Sequence, residues 1–162
     1  MKRFNSSVRL ALSVVAVLGL ATPTIAGDRV PFKGSFAGER TERTVLSPTT
    51  VLDRWYMEGT ATQLGKFEVV VWAEVDFSSV PVTGVGTATL VAANGDEVYA
   101  DVSGYSEFVE PGVVRIIENA VITGGTGRFA GATGSYTSER LTSLITNETA
   151  GSFEGTISMP GS

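Results

Sequence analysis

The sequence predicts an all-β protein, an eight-stranded antiparallel up-and-down β-barrel that follows an N-terminal signal peptide. Three observations lead to this prediction. Beyond residue 26 the segments alternate apolar with polar residues, are rich in Val, Thr and aromatic residues, and have no helical period. Short breaks such as Asn-Gly and Pro-Gly separate them, and short connections favour sequential antiparallel neighbours. Eight strands without a covering helix would expose two sheet edges, and closure into a barrel removes both.

Residues 1–26 have the pattern of a secretory signal peptide. Three basic residues precede an apolar run at residues 10–20, and small residues then predict cleavage after Ala26. A membrane anchor is the alternative, but the run is shorter than the roughly 20 residues that a spanning helix needs. The sequence therefore predicts a barrel domain over residues 27–162 in a secreted or periplasmic location.

The predicted strands are placed by alternation and by the breaks between them. One connection is long, roughly residues 40–52, and it would be able to cover one mouth of the barrel. The clearest hairpin joins the fourth and fifth strands, where Asn94-Gly95 supplies the positive φ angles that a two-residue primed turn requires. The eight strands are expected at about residues 29–38, 53–62, 66–78, 84–93, 97–106, 112–122, 128–141 and 150–159.

Composition excludes several classes of function. The chain has no Cys and no His, which rules out Ser-His-Asp and Cys-His catalysis, disulfides, and zinc sites built from these ligands, so neither a metal nor a cofactor is predicted. Cleavage would remove three basic residues and shift the formal net charge from −5 to −8. An acidic surface argues against nucleic acid and anionic membranes as partners. An outer-membrane barrel is disfavoured because the predicted strands 84–93 and 97–106 alternate mostly small residues with polar ones and so lack a lipid-facing apolar band.

A Gly-rich segment, VITGGTGRFAGATG, occupies residues 121–134. Its Gly-x-Gly-x-x-Ala spacing is that of a dinucleotide-binding turn, which needs a helix starting at this point and a second strand with an acidic residue about 20 positions on. The residues that follow are poor helix formers, so the nucleotide interpretation is rejected. A structural role in turns and in the sharp coiling of a small barrel is predicted instead for Gly124, Gly125, Gly127, Gly131 and Gly134.

The same segment resembles the Gly-rich hairpin of the allene oxide cyclase barrel superfamily, which includes plant allene oxide cyclases and dirigent proteins, with the bacterial spirotetronate cyclases as a related calycin-like set. Residues 124–134 match the Gly-Gly-Thr-Gly-x-Phe hairpin, and residues 151–158 are similar to the closing strand of bacterial members. The resemblance implies a barrel whose lumen binds an apolar small molecule and steers a cyclisation or coupling by shape. The family's catalytic residues cannot be matched one by one, so none is assigned.

Candidate ligand-binding residues are aromatic or cationic side chains on the predicted strands. Trp55 and Tyr56 are adjacent, so one of them must face the interior. On the third strand, the face with Phe67 is expected to be core and the face with Trp72 is more simply solvated. The candidates are Trp55, Tyr56, Trp72, Tyr99, Arg115, Tyr136 and Arg140.

Tyr136 and Arg140 share one face of the seventh strand. Facing inward, they would offer a hydroxyl and a fixed cation to a carboxylate or carbonyl. The alternative, in which Arg140 pairs with a surface carboxylate, is favoured on the sequence alone. On the sixth strand, Arg115 and Glu118 have opposite parity.

Two functions remain open. The first is an exported barrel that binds an apolar small molecule, either as a carrier or as an isomerase or cyclase of the allene oxide cyclase type. The second is a structural or interaction barrel filled by its own side chains, with small residues such as Ala92 and Ala130 making room for Phe67 and Phe129. A lumen of roughly 300 Å³ or more would favour the first function. Association with further copies of the chain is also left open.

Overall fold

The computed structural model describes residues 27–160, so the predicted signal peptide lies outside the described residues. Eight antiparallel strands pair sequentially, and β1 also pairs with β8, which closes the barrel. Apart from one 3-10 turn at Gly127–Phe129, all regular structure in this range is strand. Residues 27–160 contain no helix that is long and apolar enough to cross a membrane. The strands are β1 Arg29–Val45, β2 Thr50–Ala61, β3 Gly65–Asp76, β4 Val82–Ala92, β5 Glu97–Glu110, β6 Val113–Gly125, β7 Thr133–Ser143 and β8 Glu148–Ser158.

The predicted fold is confirmed. The prediction of a long connection between the first two strands is wrong. β1 continues to Val45, and only residues 46–49 separate it from β2. A β-bulge explains the discrepancy, because the register shifts between Arg40 and Glu42 and leaves Thr41 as an extra residue. Because charged side chains lie on both sides of the bulge, the sequence of this part of the strand has the composition of a polar loop.

Two smaller predictions also need correction. β7 begins at Thr133, because residues 127–129 form the 3-10 turn. At the β4–β5 hairpin only Gly95 has positive φ, at 87°, and its amide donates to the Ala92 carbonyl at 2.8 Å. The Ala92 amide in turn donates to the Asp96 carbonyl at 2.8 Å, so the loop has three residues and ends in a bulge at Gly95, not a two-residue primed turn.

The Gly-rich segment turns the chain at the end of the barrel where β6 meets β7. Positive φ angles occur at 124, 127, 131 and 134 but not at Gly125. A Cβ on Gly134 would lie 2.2 Å from the Thr156 carbonyl oxygen, so this position requires both the unusual backbone angle and the absence of a side chain. Four of the five glycines therefore have a backbone angle that favours glycine.

The connections at the two ends of the barrel define two regions. We call the end with connections 46–49, 77–81, 111–112 and 144–147 the mouth, and the opposite end the base. Toward the base the interior is filled by aromatic rings, with Phe153 at 5.0 Å from Phe32, 5.1 Å from Tyr136 and 6.0 Å from Phe67. These rings account for the closed half of the lumen.

Inward-facing glycines make room for these rings on neighbouring strands. Gly155 lies directly between Phe32 of β1 and Tyr136 of β7 in the sheet register. Gly59 likewise lies between two aromatic residues, Phe36 and Phe67. The predicted pairing of Phe67 with a small residue also holds, since it faces Ala92 of β4. Ala130, by contrast, is exposed and lies outside the strands.

Candidate functional site

A cavity of about 150 Å³ opens at the mouth of the barrel. Its walls are mostly apolar and include Val75, Val102 and Ile116. Below it, the aromatic half of the barrel retains a void of only about 30 Å³, and Glu118 borders both spaces. The lumen is therefore smaller than the 300 Å³ criterion, and it is divided into a solid half and an open half.

Three guanidinium groups and two carboxylates line the cavity, which gives it a formal charge of +1. Arg43 and the buried Asp53 form a bidentate ion pair, with Nε and Nη2 at 2.6 Å from Oδ1 and Oδ2. Arg140 donates to Glu118 from Nε at 3.3 Å and from Nη2 at 3.2 Å. Each of these two arginines thus has a carboxylate of its own.

Arg40 lacks such a partner. Its Nη1 lies 3.6 Å from Asp53 Oδ2, a long contact to a carboxylate that Arg43 already engages, and its Nη2 donates to Asn147 Oδ1. The pKa of Arg40 is lowered because burial disfavours the charged form and Arg43 adds a like charge, against the opposing effect of Asp53. Arg40 is therefore the cation in the cavity that is least well neutralised.

Trp55 contacts two of the three guanidinium groups. Arg140 Cζ lies 4.4 Å and Arg40 Cζ 5.6 Å from the centroid of a Trp55 ring. Thr142, which lines the cavity, shares a hydroxyl–hydroxyl bond of 2.8 Å with Thr149, and Arg140 Nη1 reaches Thr149 Oγ1 at 3.5 Å. The indole therefore lies beside two of the three cations that line the cavity.

Three of the seven predicted site residues lie inside the barrel. Trp55 and Arg140 line the mouth cavity, whereas Tyr136 belongs to the aromatic half and borders the smaller void. The expectation that Arg140 pairs with a surface carboxylate is wrong, because its side chain is only 2% exposed and its partner Glu118 faces the lumen. Burial, with a smaller effect from Glu118, raises the pKa of Tyr136.

The other four candidates lie on the outer wall and take no part in the cavity. Tyr56 donates to Glu58 at 2.7 Å, which raises the pKa of Tyr56 to about 12, and Tyr99 similarly donates to Glu97. Trp72 lies under Arg54, whose Cζ is 5.7 Å from its ring. Arg115 forms surface ion pairs with Glu107 and Glu139. Strand parity grouped these residues but did not say which face points inward.

The sequence analysis missed Arg40, Arg43 and Asp53 as site residues. Asp53 lies two residues before Trp55 on β2, so the two side chains point to the same face of the sheet. A prediction that Trp55 faces the lumen would therefore also have placed the Asp53 carboxylate there. The two arginines had no such signal, because the bulge breaks the alternation between them. Within residues 27–160, no group of three acidic side chains is arranged to hold a metal ion.

Eight large apolar side chains are exposed at the mouth, at or beside its four connections. We call this set the apolar rim. The five other exposed large apolar residues of the described chain lie along the strands, where Val85 and Tyr105 also border the cavity, and none lies at the base. The rim consists of Val45, Leu46, Phe77, Val80, Phe108, Val109, Leu144 and Ile145.

Comparison with protein-family models and with curated proteins finds no match for the chain. Among solved structures, a dirigent protein described as a pterocarpan synthase superposes with a TM-score of 0.56 at 12% sequence identity. The superposition covers 88% of this chain and 99% of that chain. At this identity the likeness concerns the fold alone, and the resemblance to allene oxide cyclases stays a prediction. The chain is thus similar to a dirigent protein in its eight-stranded barrel, at low sequence identity.

Proposed function

We propose that this protein is an exported, dirigent-like barrel that binds a small molecule with an apolar body and an acidic group in the mouth cavity. The observation behind the proposal is the uneven pairing of charges in the cavity. Arg43 and Arg140 each hold a carboxylate, whereas Arg40 shares one at 3.6 Å. A ligand carboxylate would supply the partner that Arg40 lacks, and a hydrogen bond to a charged group contributes about 1.5–3 kcal/mol.

The size of the cavity limits the ligand. Cavities of about 150 Å³ in other proteins hold a benzene molecule, so one six-membered ring is a suitable body. The apolar walls would contact the ring while Arg40 orients the acid. A larger ligand would have to extend out of the mouth.

The test uses Trp55 as the reporter. The chain has two tryptophans, so Trp72→Phe leaves the indole of the cavity as the sole tryptophan, which excitation at the long-wavelength edge of its absorption selects over the tyrosines. We expect cyclohexanecarboxylate to change its emission saturably, and cyclohexanecarboxamide to bind about tenfold more weakly because the amide has no charge. Arg40→Gln should abolish this preference. Arg54→Gln, a matched change on the outer wall, should leave it intact.

Two results would contradict the proposal. One is the same affinity for acid and amide in the unsubstituted cavity, which would mean that no cation recognises the ligand. The other is a preference for the acid that survives Arg40→Gln. The absence of saturable binding by any ring acid would favour the alternative function instead.

That alternative is a structural or interaction barrel without a ligand, and it has its own supporting observation. The base half of the lumen is filled by side chains, with a void of about 30 Å³. The open, charged mouth argues against this function for the whole barrel. Mass spectrometry of the protein as purified from its native source distinguishes the two, since a carrier or enzyme would retain an adduct that denaturation releases.

A cyclase or isomerase remains within this proposal. The cavity offers carboxylates and guanidiniums that could orient or polarise a bound molecule, and such catalysis acts by holding a reactive conformation. Comparison of the mass and connectivity of the added and the recovered ligand would decide between carriage and turnover. Export is tested by N-terminal sequencing of the secreted or periplasmic protein, which should begin at Gly27.

A further inference from the structure

The two ends of the barrel differ in how far their large apolar side chains are buried. At the base, Leu64 and Phe129 are buried almost completely. At the mouth, Phe108 is 72% and Ile145 is 82% exposed, and the rest of the apolar rim is exposed on all four connections. Contiguous exposed apolar residues are uncommon on soluble proteins and mark a surface that something else covers.

The chemistry of the rim restricts what that partner is. Residues 44–51, 77–83, 108–114 and 143–147 contain a single charged residue, Glu110. The other polar residues of these segments are Ser, Thr and Asn, so apart from Glu110 the rim can enter the boundary of a bilayer without burying a charged side chain. The rim also has no Lys or Arg, and the net charge of the chain is negative, so attraction to anionic lipid is absent.

We propose that the apolar rim docks the barrel, mouth first, on a zwitterionic lipid surface. Aromatic and aliphatic side chains at several neighbouring tips can enter the boundary between headgroups and acyl chains, to a depth of roughly 5–10 Å, without any spanning segment. The sequence predicted no membrane partner because the chain lacks the basic patches that bind anionic surfaces. The apolar rim offers a different mode of attachment, which does not depend on basic residues.

Docking in this orientation would have a consequence for the cavity, and this consequence alone rests on the proposed function. Because the rim surrounds the cavity entrance, a docked barrel would open toward the lipid. A ligand with an apolar body could then enter from the membrane, acid group first, without crossing water.

Flotation with phosphatidylcholine vesicles tests the proposal and needs no ligand. The protein is purified from a host that expresses the full-length chain. We expect it to float with the vesicles, and Phe108→Asp with Ile145→Asp to lower the partition coefficient at least about tenfold. Val121→Asp with Leu141→Asp is the matched control, since these side chains are 59% and 51% exposed on the outer wall, neither lines the cavity, and the added charge is the same. Circular dichroism establishes that both variants keep their strands.

Four outcomes would overturn the proposal. These are no flotation of the unsubstituted protein, equal flotation of the rim variant, an equal loss in the wall variant, and a dimer in solution that the rim substitutions dissociate. Raising the salt to 1 M should leave binding within about twofold, because screening affects charged contacts and not apolar ones. Failure here would leave the fluorescence test of the cavity unaffected.

Discussion

The ion pair between Arg140 and Glu118 gives the sharpest test of how the mouth is stabilised. Arg140 is 2% exposed and Glu118 14% exposed in their side chains. Removing one partner of a buried pair leaves an uncompensated charge, which costs about 3–5 kcal/mol. In Glu118→Leu, Arg140 would keep the Trp55 ring and the Thr149 hydroxyl, so we expect the lower end, a loss of about 3 kcal/mol in the free energy of unfolding.

The double variant makes the prediction specific. Arg140→Met added to Glu118→Leu removes both charges and keeps most of the apolar volume, and such replacements are often nearly neutral. The second substitution should therefore restore about 2 kcal/mol of the stability lost by the first. Urea unfolding followed by far-ultraviolet circular dichroism measures both values without depending on the fluorescence of Trp55.

A surface pair provides the control. Arg115 and Glu107 are 40% and 48% exposed, so Glu107→Leu should change the free energy of unfolding by less than about 1 kcal/mol. If the double variant is no more stable than Glu118→Leu alone, the loss comes from packing around residue 118. The interpretation of an uncompensated buried charge would then be refuted.

Two further predictions concern the closed half of the barrel. Burial raises the pKa of Tyr136, so above the ordinary tyrosine pKa of about 10 the unfolded chain releases a proton that the folded chain keeps. The contribution of Tyr136 to the free energy of unfolding is therefore fully present below pH 10. Above that pH it should fall by up to about 1.4 kcal/mol per pH unit. The urea midpoint should accordingly fall less between pH 9 and pH 11.5 in Tyr136→Phe than in the unsubstituted protein. Gly155→Ala places a methyl group 2.0 Å from the Ser135 carbonyl oxygen and should lower the free energy of unfolding by about 1–3 kcal/mol. Ser152→Ala, on the outer face of β8, should stay within about 0.5 kcal/mol, and equal losses in the two variants would refute the steric argument.

The fold could be predicted from the sequence because its signals are local. Alternation places Phe67 and Val69 on one face of β3 and Trp72 on the other, and the structure confirms that the first face is core. The Gly-rich segment also identified the turn at the base. Strand ends were predicted less well where side chains contradict the pattern, as in β1, whose inward arginines resemble a polar loop.

The site could be predicted only in part, because it depends on which face of each strand points inward and on cross-strand register. Trp55 and Arg140 come from strands two and seven, and nothing local says that their side chains meet. Arg40 joins them through a bulge whose position is set by pairing with β2. Partners that are distant in the chain and defined by closure of the sheet are therefore found only in three dimensions.

The bulge at Thr41 decides the sign of the charge inside the mouth. Because of the extra residue, Arg43 is the residue of β1 that pairs with Asp53, while Glu42 pairs with the outward Arg54. If the same residues paired without the bulge, Thr41 would lie opposite Arg54 and Glu42 opposite Asp53, and the cavity would change from a formal charge of +1 to −1. Deletion of Thr41, by contrast, would leave Glu42 opposite Arg54 and Arg43 opposite Asp53, so the charge of the cavity depends on how the extra residue is accommodated and not on its presence alone. In such a barrel the charge inside the lumen can therefore change through a local shift of strand register, with the sequence unchanged.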